Sequence, residues 1–420
     1  MQIKTSAAVR QYMGDGIRHV CETFKKRLPG TESERAAQRF FQKELEGYAD
    51  KVILEDFTVH PGAFMGFIPV AALFVIIAVL IYWFNASSVA LSVLALVLSL
   101  ACAAMFWIEF MMYRSFVDFL FPKKVSSNVY ATYRPEGEVK RRIIFGGHTD
   151  VANEWRYSYH GGLAGMGIVL GGSIPMVFLV LGVGVAKLIA VLRADSFPPN
   201  EGAWRVLGII QLCMLVFAVA IMFFINYGIA VDGANDNLSA NYVSMAVIKN
   251  MRDKGFRFEN TEVGCLLTGS EEAGLRGAKA FASKHKKEFS DVETVFVSLD
   301  TMREISQLMV YTRGCTGTVH DDEAVGDLIA LAGKNCGVDM PRAGLYPGAV
   351  DAEGFTMRGL RAAGFCGVNH NPKRYYHTRE DTPDNIDMDC IALSLDICEE
   401  IARIYDEKGG MTEFDKARGK

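Results

Sequence analysis

Apolar positions along the chain follow two distinct regimes. Phe57–Ile108, Tyr157–Ala186 and Val206–Val231 contain no Asp, Glu, Lys or Arg, whereas the remaining segments mix short β-rich runs with helical periodicity and abundant charge. The first uncharged stretch, about 52 residues, would measure roughly 78 Å as one helix, against about 30 Å of bilayer hydrocarbon, so it is read as two spans. A break at Asn85-Ala86-Ser87-Ser88 gives Ala63–Phe84 and Val89–Ile108, and further spans fit Leu163–Ala186 and Val206–Ile229. Tyr82, Trp83, Phe106 and Trp107 stand where interfacial aromatics belong. Four buried core helices are the competing reading, but such long apolar runs without a charge are rare in water-soluble cores.

Because the spans come in pairs, the chain crosses and returns each time. Met1–Val59, Lys123–Tyr157 and Asp232–Lys420 are then expected on one side of the bilayer as a single domain. The expected segmentation is 1–59, 123–160 and 232–420 for that domain, with hairpins at 60–122 and 161–231. No ionisable residue is expected inside a span, Glu109 falling just beyond the second, so the spans read as an anchor or a cavity wall and not as a transport path. Arg114, Lys123, Lys124 and Arg156 flank the polar-domain side, while Lys187, Arg193 and Arg205 are assigned to the far connection around Asp195–Glu201. With a polar, charged segment before Leu45 and hence no expected cleavable signal, this places the domain and both termini on the cytoplasmic side. Nine cysteines without a C-x-x-C pair suit a reducing compartment.

In the polar segments, strands are predicted at Val52–Val59, Asn128–Tyr133, Arg142–Gly146, Val263–Thr268, Thr294–Leu299, Leu308–Thr312 and Ala363–Val368. Helices are predicted at Ser33–Leu45, Ala240–Lys254, Gly277–Lys287, Ala324–Cys336 and Met388–Tyr405, on a helix-patterned N-terminal region. The alternation implies an α/β fold, a mostly parallel twisted sheet with helices on both faces. Ligands in such sheets bind beyond the carboxyl ends of the strands.

The residues that follow those ends are uniform in chemistry. Gly146-Gly147-His148-Thr149-Asp150, Thr268-Gly269-Ser270-Glu271-Glu272, Asp300 and Tyr375-Tyr376-His377-Thr378 each succeed a strand, and Gly233-Ala234-Asn235-Asp236-Asn237 stands at a helix entry. Taken singly, each has an ordinary reading: Asp236 as a helix N-cap, Glu271-Glu272 as a solvated acidic pair, Tyr376 as a packing aromatic, Asp381 with Thr382 as turn organisers before Pro383. Together they gather imidazoles and carboxylates at one sheet edge, a donor mixture suited to Zn²⁺ or a similar divalent metal.

This ordered motif set resembles that of the M28 family of two-zinc aminopeptidases, and Arg27-Leu28-Pro29-Gly30-Thr31-Glu32 resembles that family's opening turn. The likeness covers the polar domain and none of the spans. It implies a phosphorylase/hydrolase-like zinc exopeptidase fold with two Zn²⁺ ions, one held by His148 and Asp300, the other by Glu272 and His377, and Asp236 bridging. It further implies Glu271 as general base toward a metal-activated water, Asp150 orienting the His148 ring, and Tyr376 donating to the oxyanion. The chain departs from the soluble pattern in the roughly 88 residues between His148 and Asp236, which the second hairpin fills. Ala349–Phe355 falls where the family has a pocket-lining segment, with a divergent sequence.

The expected activity is hydrolysis of N-terminal residues from peptides at a membrane, with peptide and lipid as partners. The alternatives are a single-zinc glutaminyl cyclase-like acyltransferase, a carboxypeptidase, and an inactive receptor or scaffold. The 50% hydrophobic content and 22% charge are accounted for by the uncharged stretches, and a net charge of −4 without a basic, aromatic-interleaved run argues against nucleic acid. No pattern in the chain fixes an oligomeric state.

Overall fold

The computed structural model describes residues 3–85, 87–193, 201–345, 348–369 and 375–419. Ala86 of the predicted break and 194–200 of the far connection lie outside them. The chain divides into two compact units: Met1–Pro61, Pro122–Glu154 and Gly228–Lys420 form one, Gly62–Phe121 and Trp155–Tyr227 the other.

The first unit contains helices α1 (Ala7–Thr23) and α2 (Glu32–Leu45), strands β1 (Lys51–Val59), β2 (Lys124–Tyr133) and β3 (Arg141–His148), and short β4 (Asn153–Trp155). β5 (Ile225–Ala230) spans the end of the second insertion, and after it come α7 (Ala240–Asp253), β6 (Thr261–Thr268), α8 (Arg276–His285), α9 (Glu288–Asp291), β7 (Glu293–Asp300), β8 (Met309–Gly314) and β9 (Val319–His320). The unit closes with α10 (Glu323–Asn335), β10 (Arg342–Gly344), α11 (Asp351–Thr356), β11 (Arg361–Cys366), α12 (Met388–Glu407) and α13 (Thr412–Ala417). Helices start where a side chain can satisfy the orphan amides: Thr31 caps α2 at Glu34 N, Asp322 caps α10 at Ala324 N and Asp387 caps α12 at Asp389 N and Cys390 N.

The main sheet runs β1-β2-β6-β3-β7-β11-β8-β10, with β9 beside β8, while β4 and β5 pair in a separate ribbon. The four central strands are parallel, but β1–β2, β2–β6, β11–β8 and β8–β9 are antiparallel. The mostly parallel sheet expected from the sequence is therefore corrected to a mixed one. Strand direction at the flanks is set by which neighbour a strand finds, and the hydrophobic pattern carries no such information. Side chains alternate as the pleat requires: Ile143, Phe145, Val295 and Val297 face the core made with α1, α2, α7, α10 and α12, while Ile144, Leu266 and Phe296 face α8 and α11. Burial on both faces explains the continuous apolar strands. Register places His148 opposite Thr268 and Cys366 opposite Asp300, so the strands end together at one edge.

The second unit holds α3 (Ala63–Phe84), α4 (Val89–Ala104, continuing as a wider π-type turn over Met105–Met111), α5 (Arg156–Leu192) and α6 (Gly202–Met222). All four helices are long and apolar enough to cross a membrane. Leu73, Val97, Ile168, Phe178 and Val216 point outward and are exposed, the inverse of a water-soluble bundle. Helices approach closely at glycines, Gly172 lying against Phe217 and Gly208 against Trp83.

Three expectations are revised here. The fourth helix ends at Met222, and the apolar residues after it form β5, because a short apolar run reads equally as strand or helix. Lys187 is not in a far loop: α5 runs to Leu192, and Lys187, 4% exposed, donates to Tyr82 O at 2.6 Å and to Asn85 O, with its ammonium 4.2 Å from the Tyr82 ring centroid. It satisfies the carbonyls at the α3 C-terminus, where cations are favoured. Glu109 also lies within the helical run, buried, and its carboxylate accepts from Phe116 N and Val117 N. An ionisable group does therefore sit inside a candidate span.

Candidate metal centre

The converging strand ends bring together His148, Asp236, Glu271, Glu272, Asp300 and His377. His148 Nε2 lies 3.1 Å from Asp236 Oδ1, while His377 Nε2 lies 3.1 Å from Asp236 Oδ2 and 3.2 Å from Glu272 Oε1. Asp300 Oδ2 and Glu271 Oε2 are each 3.8 Å from His148 Nε2. Asp236 thus turns a different oxygen to each imidazole.

Local structure fixes these positions. Gly233 begins the Asp236 loop in the left-handed region (φ +68°), and a Cβ there would meet Val151 Cγ1 at 2.3 Å, so glycine is required. The Asp236–Asn237 peptide is cis. Asn237 spans to the end of β7, donating to Leu299 O (3.0 Å) and accepting from Thr301 N (3.2 Å), and Asn241 donates to His148 O (2.7 Å). Asp300 Oδ1 accepts from Thr301 Oγ1 (2.7 Å), which leaves Oδ2 for the cluster.

Asp150 lies beside both the His148 ring and the Glu-Glu turn. Its carboxylate accepts from Glu271 N at 2.9 Å and Glu272 N at 3.0 Å, while His148 Nδ1 is 3.2 Å from the Asp150 carbonyl and 3.6 Å from its carboxylate. The buried carboxylate orients the Glu-Glu turn, and the ring is met by the backbone. Tyr376 stacks on His377, centroids 4.2 Å apart at 21°. Asp381, expected only to shape a turn, accepts from Asn235 N (2.7 Å), Asn235 Nδ2 (2.9 Å) and Asp236 N (3.2 Å). Its position four residues after His377 was the one available signal. Ala349–Phe355 contributes α11, with Asp351 buried and accepting from Thr268 Oγ1 at 2.5 Å.

The electrostatics are those of crowded acids sharing two imidazoles. Burial pushes the Glu271 carboxyl well above its ordinary range, and Glu272 and Asp351 add to the rise against the opposing pull of His148. Burial raises Asp300 too, reinforced by Asp236. For Asp236 burial acts upward, but hydrogen bonds from His148 and His377 prevail and hold it below its usual range. Burial would lower His377, yet Glu272 and Asp236 lift it to about 10.

This donor set fits divalent cations. His148–Asp236–Asp300 and Asp236–Glu272–His377 each present ligand atoms within 4.8 Å of one another and share only Asp236, and His148, Glu271 and Glu272 form a third such group. Buried acids in this number need positive charge beyond two imidazoles. Because Glu272 and Asp236 lift the His377 imidazole to about 10, a cation entering there competes with a proton near neutrality. Zn²⁺ affinity is therefore expected to rise with pH between about 6 and 9, with proton release measurable by titration calorimetry in buffers of differing ionisation heat. A flat profile would contradict the assignment of His377 as a ligand.

The segment 221–402 matches the model of Peptidase family M28. No curated protein matches the chain. Among solved structures, the chain is similar to a glutaminyl cyclase from Fimbriiglobus ruber (14% identity, TM-score 0.54, 96% of this chain and 97% of the other covered). It is likewise similar to an aminopeptidase from Aneurinibacillus sp. strain AM-1 (15% identity, TM-score 0.53, 94% and 93% covered) and to BSAP, a zinc aminopeptidase from Bacillus subtilis (12% identity, TM-score 0.52, 97% and 96% covered). At these identities the likeness defines the fold: a mixed α/β sheet with helices, common to aminopeptidases and glutaminyl cyclases.

Proposed function

We propose that this chain is a membrane-anchored, binuclear zinc aminopeptidase of the M28 type. The observation that carries the reading is Asp236, whose two oxygens each meet a different imidazole at 3.1 Å, the arrangement a carboxylate needs to bridge two ions. His148 and Asp300 would hold one ion with Asp236, and Glu272 and His377 the other. Zinc bound there would supply Lewis acidity toward water and the scissile carbonyl, together with charge that offsets the buried acids. Glu271 takes the proton of the attacking water and returns it to the leaving amine. Asp150 holds the amides of Glu271 and Glu272, so one side chain can serve as base while its neighbour serves as ligand.

Tyr376, stacked on His377, is assigned the hydrogen bond to the tetrahedral oxyanion. Tyr376→Phe is expected to lower kcat about 10²–10³-fold with a much smaller change in KM, read by steady-state kinetics on aminoacyl reporter substrates. Four apolar helices support the anchor. With Lys187 inside α5, four basic residues (Arg114, Lys123, Lys124, Arg156) flank one end of the spans and Arg193 and Arg205 the other, which favours a cytoplasmic catalytic unit.

Digestion of a peptide library with mass-spectrometric readout tests the activity. Stepwise loss of N-terminal residues supports an aminopeptidase, loss of ammonia from N-terminal glutamine without chain shortening supports the cyclase that shares this fold, and C-terminal shortening supports a carboxypeptidase. An untouched library would leave the scaffold reading.

A further inference from the structure

The opening turn and the start of α2, Arg27 to Gln38, carry two buried ionisable side chains that the mechanism does not use. Arg27, 1% exposed, meets no carboxylate within ion-pair distance among the described residues. Its guanidinium donates to three carbonyls: Thr149 O from Nε at 3.1 Å, Phe24 O from Nη1 at 3.2 Å and Asp232 O from Nη2 at 2.8 Å. Thr149 separates His148 from Asp150, and Asp232 opens the loop that carries Asp236. The Arg27 carbonyl in turn accepts from Val151 N at 3.1 Å.

Glu34, with no exposed surface, performs the complementary task with acceptors. Its Oε1 takes Ser270 N at 2.7 Å, Ser270 Oγ at 3.0 Å and Ser126 Oγ at 2.9 Å, and its Oε2 takes Gly30 N at 2.7 Å. Ser270 sits at φ +53°, directly before Glu271. Gln38 adds a third tie, donating to Thr149 Oγ1 at 3.1 Å. This segment thus meets three separate ligand-bearing loops, after β3, before α7 and after β6.

Such an arrangement answers a physical problem. Asp236, Glu271, Glu272 and Asp300 sit on separate loops, so something outside the cluster must set their spacing when no cation does. A fork with fixed geometry can bind three carbonyls at once, which a lysine cannot. A buried charge whose hydrogen bonds all reach neighbouring backbone costs desolvation that is recovered only while those loops stay in place.

We infer that the Arg27–Gln38 turn is the brace that sets the spacing of the metal-binding loops, with Arg27 and Glu34 as positioning residues that govern metal affinity. This rests on the metal-centre reading above and extends it to a part of the chain remote from the ligands in sequence. Removing either residue relaxes the loops while leaving every ligand present, so cations bind more weakly to an unaltered donor set.

The test uses the full-length protein in detergent with Zn²⁺ alone, measured by chelator competition, and Co²⁺ alone, measured by its visible ligand-field bands. Arg27→Ala and Glu34→Gln are expected to weaken Zn²⁺ binding about 10–100-fold and to shift the Co²⁺ spectrum. Added methylguanidinium should restore affinity and spectrum to Arg27→Ala by occupying the vacated cavity. Arg39→Ala, which alters an exposed residue on the same helix, should match the wild type. Unchanged affinity in both variants overturns the brace while leaving the metallopeptidase reading intact. Variants that lose metal but are not rescued, and whose metal-free thermal unfolding drops in parallel, also overturn it, since the turn is then ordinary core. Wild-type protein that takes up neither ion overturns the metal-centre reading and the brace with it, whereas wild type that binds metal yet cleaves no peptide defeats the proposed activity alone.

Discussion

Glu271→Gln is expected to lower kcat on aminoacyl reporter substrates by about 10²–10⁴-fold while KM and zinc content stay near wild type. The substitution keeps side-chain volume, and the Glu271 amide still donates to Asp150 at 2.9 Å, so the Glu-Glu turn persists. What is lost is a proton acceptor 3.8 Å from His148 Nε2 at the edge of both ligand groups. The side chain is buried, so bulk buffer cannot substitute for it efficiently. Parallel elemental analysis makes the result specific: full zinc with lost turnover identifies the base, whereas lost zinc would make Glu271 a ligand, and retained turnover would remove it from the chemistry.

Asp236→Asn should have the second large effect, on loading itself. An amide presents one acceptor oxygen and an NH₂ donor, so one of the two imidazoles now faces the wrong polarity. The neutral amide also removes a negative charge that would face the cations from the middle of both ligand groups. Zinc per chain after dialysis is expected to fall from near two to well below one, with affinity weakened at least about 100-fold, near 2.7 kcal/mol. Asp300→Asn, which touches one ligand group only, should lose one equivalent and retain the other. Equal losses in the two variants would show that Asp236 does not bridge.

How much of this could be read in the sequence depended on how local the signal was. Helices α3 to α6 announce themselves through long uncharged runs, and β3, β6 and β7 through apolar stretches ending in polar chemistry. The cluster residues were legible because all but His377 directly follow such a stretch or open a helix, and His377 comes soon after one. Short elements were not: β9, β10 and α11 span two, three and six residues, too few for a period to declare itself. Strand direction at the sheet flanks was likewise invisible. Supporting side chains were the least legible. Apart from its place four residues after His377, nothing near Asp381 indicates that it reaches Asn235, and nothing near Glu34 that it reaches Ser270, because those contacts join positions 146 and 236 residues apart.

The two helical insertions also impose an order of events during synthesis. The partners β1 and β2 are antiparallel neighbours, yet the ribosome must complete α3 and α4 between them. His148 emerges before α5 and α6, and Asp236, Glu272, Asp300 and His377 only after them. A nascent chain therefore contains both hairpins before it owns more than one of the proposed metal ligands. Metal acquisition is necessarily a late step, completed only once β7 and the His377 turn have been made, and any chain stalled or truncated within the second hairpin is born without a centre to fill.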